Sequence, residues 1–400
     1  MRISSIEQFQ QGIDSILDQQ ARLNRTQQQL ATGKNVLSPA DDPAAASQLL
    51  TLSSLKAKNE QYDRNVAAAQ NELELQESVL ASSGNVLQRV RELVIQANNA
   101  TQSNQSRAAI GDEINNLADE LLQLANTRNA SGEYVFSGYN SRTPAFTRTG
   151  TGFEFQGDQG QRLLQVSEDT QLSVRDSGQD IFEGMVTGDG RFLLQSPDTN
   201  TGSALVKMSS TTDATLDDYT VTFSQAAAED PVLYSVVGAQ TGAIATGTYE
   251  SGTAITFNGI TLEVDGAVKN GDSYGIARSA RQNIFQSVQA IADALLSPTS
   301  SIRAGSKLTN DLGQAIGTLD QGLEHLQGRR TIVGNRLQTL DNRVDKNADE
   351  RLRLEKQVSE IQDLDFAEAV SRLNLQSTAL QAAQQAYVKI QGLSLFNYLR

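Results

Sequence analysis

The chain has 400 residues, no cysteine, no tryptophan, a single histidine (His325) and a net charge of −14. This inventory excludes disulfide frameworks, thiolate catalysis and Cys/His metal sites, and the acidic balance argues against nucleic-acid binding. The length exceeds what one ordinary core serves and predicts two or more structural units.

The charge is uneven. Residues 1–132 carry 11 basic and 15 acidic side chains, residues 133–280 carry 8 and 19, and residues 281–400 carry 14 and 13. Nearly balanced ends can pack against other copies without strong self-repulsion, while an acidic middle favours solubility. The start, MRISSIEQFQQGIDSILDQQ, lacks the basic and apolar regions of a secretory signal, and no run has the roughly 18 apolar residues of a membrane span. No membrane insertion is expected.

In chain order, the first stripe is Ile6, Phe9, Ile13, Ile16, Gln20, Leu23, Gln27 and Leu30, with alternating steps of three and four. It is one side chain wide and broken by glutamine, so this helix is marginal alone. The chain then interrupts itself at LATGKNVLSPADDPAAASQLL (30–50). Gly33 can take the left-handed conformation that ends a helix. Pro39 marks the turn, Asp42 is a natural N-cap before Pro43 at the first helical position, and Asp41 adds negative charge at the helix start. The motif is a stop, a turn and a capped restart.

A long stripe follows: Leu52, Leu55, Asn59, Tyr62, Val66, Ala69, Leu73, Gln76, Leu80, Ser83, Leu87, Val90, Val94 and Ala97. A third runs Ile110, Ile114, Leu117, Leu121, Leu124. The spacing implies long helices packed nearly parallel or antiparallel. In the middle the period changes. GFEF (152–155), YTVTFS (219–224) and AITFNGITLEVDGAV (254–268) read as strands, with Asn258-Gly259 and Asp265-Gly266 as two-residue hairpin signals and VTGDGRFLL as a further turn. Asp213, Asp217 and Asp218 lack calcium-loop spacing and read as a solvated turn.

Helical periodicity returns at Leu312, Ile316, Leu319, Leu323, Leu326, Arg330, Val333, Leu337, Leu340 and Val344, and resumes at Leu354, Val358 and Ile361. His325 lies beside that stripe and reads as a solvated helix-face residue, with no nucleophile's turn nearby. The last stripe is Phe366, Val370, Leu373, Ser377, Leu380, Ala383, Tyr387 and Ile390, thin and diluted by Gln and Ala, with apolar Leu393 beyond it. Two readings of the ends stay open. They pair within one monomer, or they fold only against neighbouring subunits.

The expected fold is α+β: an elongated, discontinuous α-helical bundle from both termini with an inserted β-rich domain. The boundaries read as terminal arms at 1–40 and 362–400, a long-helix bundle at 41–132 and 281–361, and the β-rich domain at 133–280. No catalytic residues, metal ligands or cofactors are assigned. A soluble coiled-coil signalling protein would share the heptads but not the inserted β block. A carboxylate-based hydrolase would find acids in the middle, but no motif places a pair.

Three stretches resemble a known family. The 30–50 interruption, GEYVFSGYNSRTPAF (132–146), and DLDFAEAVSRLNLQSTALQAAQQAYVKIQGLSLFNYLR at the C-terminus, with Asp363, Asp365, Ala367 and Glu368, resemble the flagellin-like axial proteins of bacterial flagella. Pro39, Pro43 and the opening MRIS resemble the hook–filament junction branch better than flagellin itself. ITFNGITLEVDGAVKNGDSYGI is similar to a hairpin element of other hook-associated proteins. The resemblance implies coaxial packing of terminal helices in a tube, with arms disordered in the monomer and the β domain facing outward. It implies an adaptor ring formed by self-association between a hook-side junction protein and the flagellin filament. It also implies type III export without a cleaved signal peptide, a chaperone on the C-terminal arm before assembly, and an extracellular destination. The alternative within the family is a flagellin, the bulk filament subunit. The expected assembly contacts are Ile6, Phe9, Ile13, Leu23 and Leu30, with Phe366, Val370, Leu373, Leu380, Tyr387, Ile390 and Leu393. The helix joint is Gly33, Pro39, Asp41, Asp42 and Pro43.

Overall fold

The computed structural model describes residues 5–398 apart from 151, 212–214, 228 and 300, with side chains described within 10–389 and at Glu7. The helical elements at the start are α1 (Ser5–Thr32), α2 (Pro43–Ala97) and α3 (Asn104–Ala125). Then come β1 (Phe146–Thr149), β2 (Gly152–Phe155), β3 (Leu163–Ser167), β4 (Thr170–Ser173), α4 (Gly178–Phe182), β5 (Met185–Val186) and β6 (Phe192–Gln195). The outer strands are β7 (Leu205–Ser210), β8 (Tyr219–Ser224), β9 (Leu233–Gly238), β10 (Gly242–Thr248), β11 (Ala254–Phe257), β12 (Ile260–Asp265) and β13 (Ser273–Arg278). The chain closes with β14 (Arg281–Gln282), α5 (Ile284–Leu296), α6 (Ile302–Gln362) and α7 (Phe366–Tyr398). Helices from both termini thus flank an inserted β-rich block, as the change of period predicts.

There are two compact units, Met1–Arg64 with Asn342–Arg400, and Asn65–Asp341; α2 and α6 run through both. The sequence stripes of these helices are their buried faces. In the second unit Val66, Ala69, Leu73, Leu80, Leu87, Val90 and Val94 of α2 are buried, as are Leu312, Leu319, Leu326, Val333 and Leu340 of α6. Polar pairs tie the two helices side by side in antiparallel order: Gln70 Nε2 to Asp341 Oδ1 at 3.0 Å, Arg330 Nε to Glu77 Oε1 at 2.8 Å, and Arg91 Nε to Asp320 Oδ1 at 2.5 Å. On α2 these positions recur at multiples of seven, as expected beside a heptad seam. Helix α3 packs on α5, where Gly111 leaves room for Ala292 and Leu295 and Asn115 Oδ1 accepts from Gln289 Nε2 at 2.8 Å.

The β-rich block has two cores. One joins the helices. Phe136, Phe146, Phe182 and Phe285 are fully buried, with rings of Phe146 and Phe285 4.9 Å apart and Phe136 edge-on to Phe182 at 5.5 Å. Such aromatic pairs add to simple burial. The EYVF run therefore belongs to the helical core. A dipeptide secures it from the other side. Buried Arg175 donates to Glu72 of α2 (3.0 Å) and to Glu133 (2.5 Å), while buried Asp176 accepts from Gln76 of α2 (2.8 Å) and Arg336 of α6 (2.9 Å). The Arg175 guanidinium holds the Glu133 carboxyl below the usual range.

The other core lies between a five-stranded sheet, in the order β10-β9-β8-β13-β6, and a three-stranded sheet, β11-β12-β7. In β8 the buried residues are Tyr219, Val221 and Phe223, alternating with Thr220, Thr222 and Ser224, so YTVTFS is a strand of period two. Asn258 (φ 42°) and Gly259 (φ 81°) form the left-handed pair of the β11–β12 hairpin. Asp265-Gly266 differs from its expected role. There β12 pairs with β11 and β7 and does not fold back onto β13. Asp272 sets the path instead, accepting from the amides of Thr201, Gly202 and Lys269.

His325 also corrects the sequence reading. It is half-buried, and its Nε2 donates to the Asp180 carbonyl of α4 at 2.9 Å. Burial lowers its pKa from the ordinary 6.5. The unfolded chain therefore takes up a proton first as pH falls below about 6.5. The stability held by neutral His325 is complete above that value and is lost as pH falls towards the folded one. Thermal melting followed between pH 7 and 5.5 will show this loss, and His325→Gln will flatten it. An unchanged slope in the variant would contradict the assignment.

Candidate functional site

Helix α1 ends where Gly33, at φ 68°, donates its amide to the Gln29 carbonyl at 2.8 Å. A side chain there would be strained, so glycine is required by the backbone. Asp41 then closes the turn: its Oδ2 accepts from the amides of Ser38 (2.9 Å) and Leu37 (3.2 Å), and its Oδ1 pairs with Arg25 at 3.1 Å. The Ser38 amide, with help from Arg25, lowers the Asp41 pKa. Asp42 caps α2, accepting from the Ala45 amide at 2.9 Å, and Pro43 is the first helical residue. Pro39 is exposed within the turn.

A second break lies at 363–365, between α6 and α7. Asp365 is its N-cap, accepting from the amides of Ala367 (2.9 Å) and Glu368 (3.1 Å). The two breaks are bonded to each other. Asn35 N donates to Gln362 O at 2.8 Å, Leu364 N donates to Gly33 O at 3.0 Å, and Lys34 and Asp363 form an antiparallel bridge. Both interruptions thus form one double joint, plugged by buried Leu364.

From the joint α1 and α7 run together, antiparallel. Thr26 Oγ1 donates to Gln376 Oε1 at 2.8 Å, and a Cβ on Gly12 would lie 3.3 Å from the Tyr387 ring. Thr26, Gln29 and Ala369 are buried, while Leu23, Leu30, Leu373, Leu380 and Tyr387 are half-buried. Ile13, Phe366 and Val370 stay exposed, together with Leu17, Leu375 and Val388. The side chains of Ile6, Phe9, Ile390 and Leu393 lie outside the described residues. The terminal helices therefore have a pairing side and, flanking it, apolar residues left exposed. Thr26, Gln29, Leu364 and Ala369 were not singled out by sequence. The legible signal was Asp365-Phe366-Ala367-Glu368, which has helix-start spacing.

Elsewhere, two acids of the middle take part in a turn and an ion pair. Asp217 accepts from the amides of Gln240 and Thr241, and Asp218 pairs with Arg278 at 3.3 Å; Asp213 lies outside the described residues. Among the described residues no His/Asp/Glu group could hold a metal ion, and no helix is long and apolar enough to cross a membrane.

Comparison with known proteins matches both helical ends of the chain. Residues 4–141 match the bacterial flagellin N-terminal helical region and residues 316–399 the bacterial flagellin C-terminal helical region. The flagellar hook-associated protein 3 of Escherichia coli K12 is 28% identical over 400 residues, covering 99% of both chains. The crystal structure of the flagellar junction protein FlgL from Legionella pneumophila superposes with a TM-score of 0.68 at 30% identity, over 74% of this chain and 99% of that one. The chain belongs to the flagellar hook-associated protein 3 family. Flagellins are more distant: polar flagellin C of Vibrio parahaemolyticus is 22% identical over 379 residues.

In this hook-associated protein 3 family member the joint rests on two caps. Asp42→Ala or Asp365→Ala will each cost about 1 kcal/mol locally. Tryptic cleavage after exposed Lys34 should then speed up about fivefold. A cut no faster than in the parent chain would show that the caps do not hold the joint.

Proposed function

We propose that the chain is a structural adaptor of the bacterial flagellum. In this reading it forms a ring that joins a hook-side junction protein to the flagellin filament through coaxial packing of α1 and α7. Its work is geometric, not catalytic. The observation that carries the reading is the set of apolar side chains that the paired terminal helices leave exposed. Val370 is 46% exposed, Leu375 73% and Val388 65%. Exposed apolar side chains concentrated along one helix are suited to burial against a partner.

The same exposed surface supports the remaining parts of the proposal. Before assembly it requires cover, which an export chaperone on the C-terminal arm would supply. After export without a cleaved signal, neighbouring copies would supply it in the extracellular flagellum. Family likeness favours the junction role over that of a bulk flagellin, since the full-length hook-associated protein 3 match is stronger than the flagellin matches.

Two substitutions separate pairing from assembly. Val370→Asp places a charge on this exposed surface and should leave the α1–α7 pair intact while reducing incorporation onto hook-end seeds at least about tenfold. Leu380→Asp, half-buried within the pair, should block incorporation and also expose α1 to hydrogen exchange. Normal incorporation of both variants, scored by immunogold labelling of seeded ends, would count against the adaptor reading.

A further inference from the structure

We propose that the first unit contains a built-in yield point at Asn59 of α2 and Asn347 of α6, where the seam between these helices parts in the monomer. Both asparagines occupy stripe positions. Asn59 is seven residues from Leu52 and from Val66, and Asn347 is seven from Leu340 and from Leu354. Both are buried, and Asn59 Oδ1 and Asn347 Nδ2 have no hydrogen-bond partner. A buried amide group that gives up water and gains nothing in return favours any state in which water returns.

Little else in this stretch opposes that. Within residues 43–64 and 342–362, Leu52 and Leu354 are the buried hydrophobic residues among those described, while Leu50, Leu55, Val344 and Leu352 are exposed. The ion pairs Lys56–Glu355 and Arg351–Asp63, both at 3.1 Å, are solvent-exposed and contribute little in physiological salt. In the second unit the seam is different. There buried Val66, Leu73, Leu80, Leu87 and Val94 succeed each other at every seventh residue of α2. Gln76 Oε1, Glu77 Oε2 and Ser83 Oγ are also unpartnered in that stretch, but Gln76 and Glu77 are bonded through their other atoms to Asp176 and Arg330, and the small Ser83 hydroxyl lies between buried Leu80 and Leu87. Once parted, helical segments of about twenty residues are marginal in water, so opening exposes their amides. The double joint lies at the ends of both segments. Parting gives the terminal helices freedom to repack, a use that rests on the adaptor reading, whereas the opening itself is a property of the monomer.

Hydrogen exchange on the full chain tests this. Amides of 48–64 and 345–360 should exchange at least about tenfold faster than those of 66–94. The double variant Asn59→Leu/Asn347→Leu should slow them about tenfold, and each single variant should slow them in part. Leu52→Ala, which removes apolar contact from the same stretch, should speed them. Exchange in the parent chain as slow as at 66–94, or unchanged in the double variant, would overturn the yield point. Seeded incorporation measured in parallel keeps the two claims apart: a parent chain that fails to join seeds counts against the adaptor, whatever the exchange shows.

Discussion

Two backbone hydrogen bonds organise the ends of this molecule: Asn35 N to Gln362 O and Leu364 N to Gly33 O. Each long helix must stop before its terminal helix begins, and a stop leaves backbone groups without helical partners. Placing the two stops together lets each break satisfy the other. Gly33 supplies the left-handed turn, and Asp41, Asp42 and Asp365 take up further amides. The pairing of α1 with α7 follows, since both start from one clip. A pairing that begins this way does not need a wide apolar face. It can include Thr26, Gln29 and Gln376 and leave Val370, Leu375 and Val388 outward.

The β-rich block is held by different means. Its inner part is continuous with the helical core through Phe136, Phe146, Phe182 and Phe285, and Arg175-Asp176 reaches back to α2 and α6. Its outer part has its own core between two sheets. Acids of the middle close turns and hold an arginine, as Asp217, Asp272 and Asp176 show.

Much of this was legible from spacing. The α2 stripe from Leu52 to Ala97 is the buried face except at Leu55 and Tyr62, because a heptad repeat records which side of a long helix meets its partner. Asn258-Gly259 was equally plain, since few residue pairs accept two left-handed positions. Other features were hidden because they depend on contacts distant in sequence. Asp265-Gly266 has hairpin chemistry, yet the chain's route is decided by Asp272 binding amides near residue 201. His325 reads as a solvated face until α4 is placed against it. The double joint was half visible. Its first break carries Gly and Pro, whereas the second, at Asp363-Leu364-Asp365, has neither and is recognised by its cap and its partner.

The central claim is that the apolar side chains left exposed on α1 and α7 build one transitional layer between unlike partners. Electron microscopy of the purified chain, alone and with hook-end and filament seeds, tests it most directly. The account predicts a single short layer on hook ends, from which flagellin then extends, and no long filaments from the chain alone. Long filaments without seeds would make it a bulk polymer subunit, and failure to join either seed would contradict assembly through these helices.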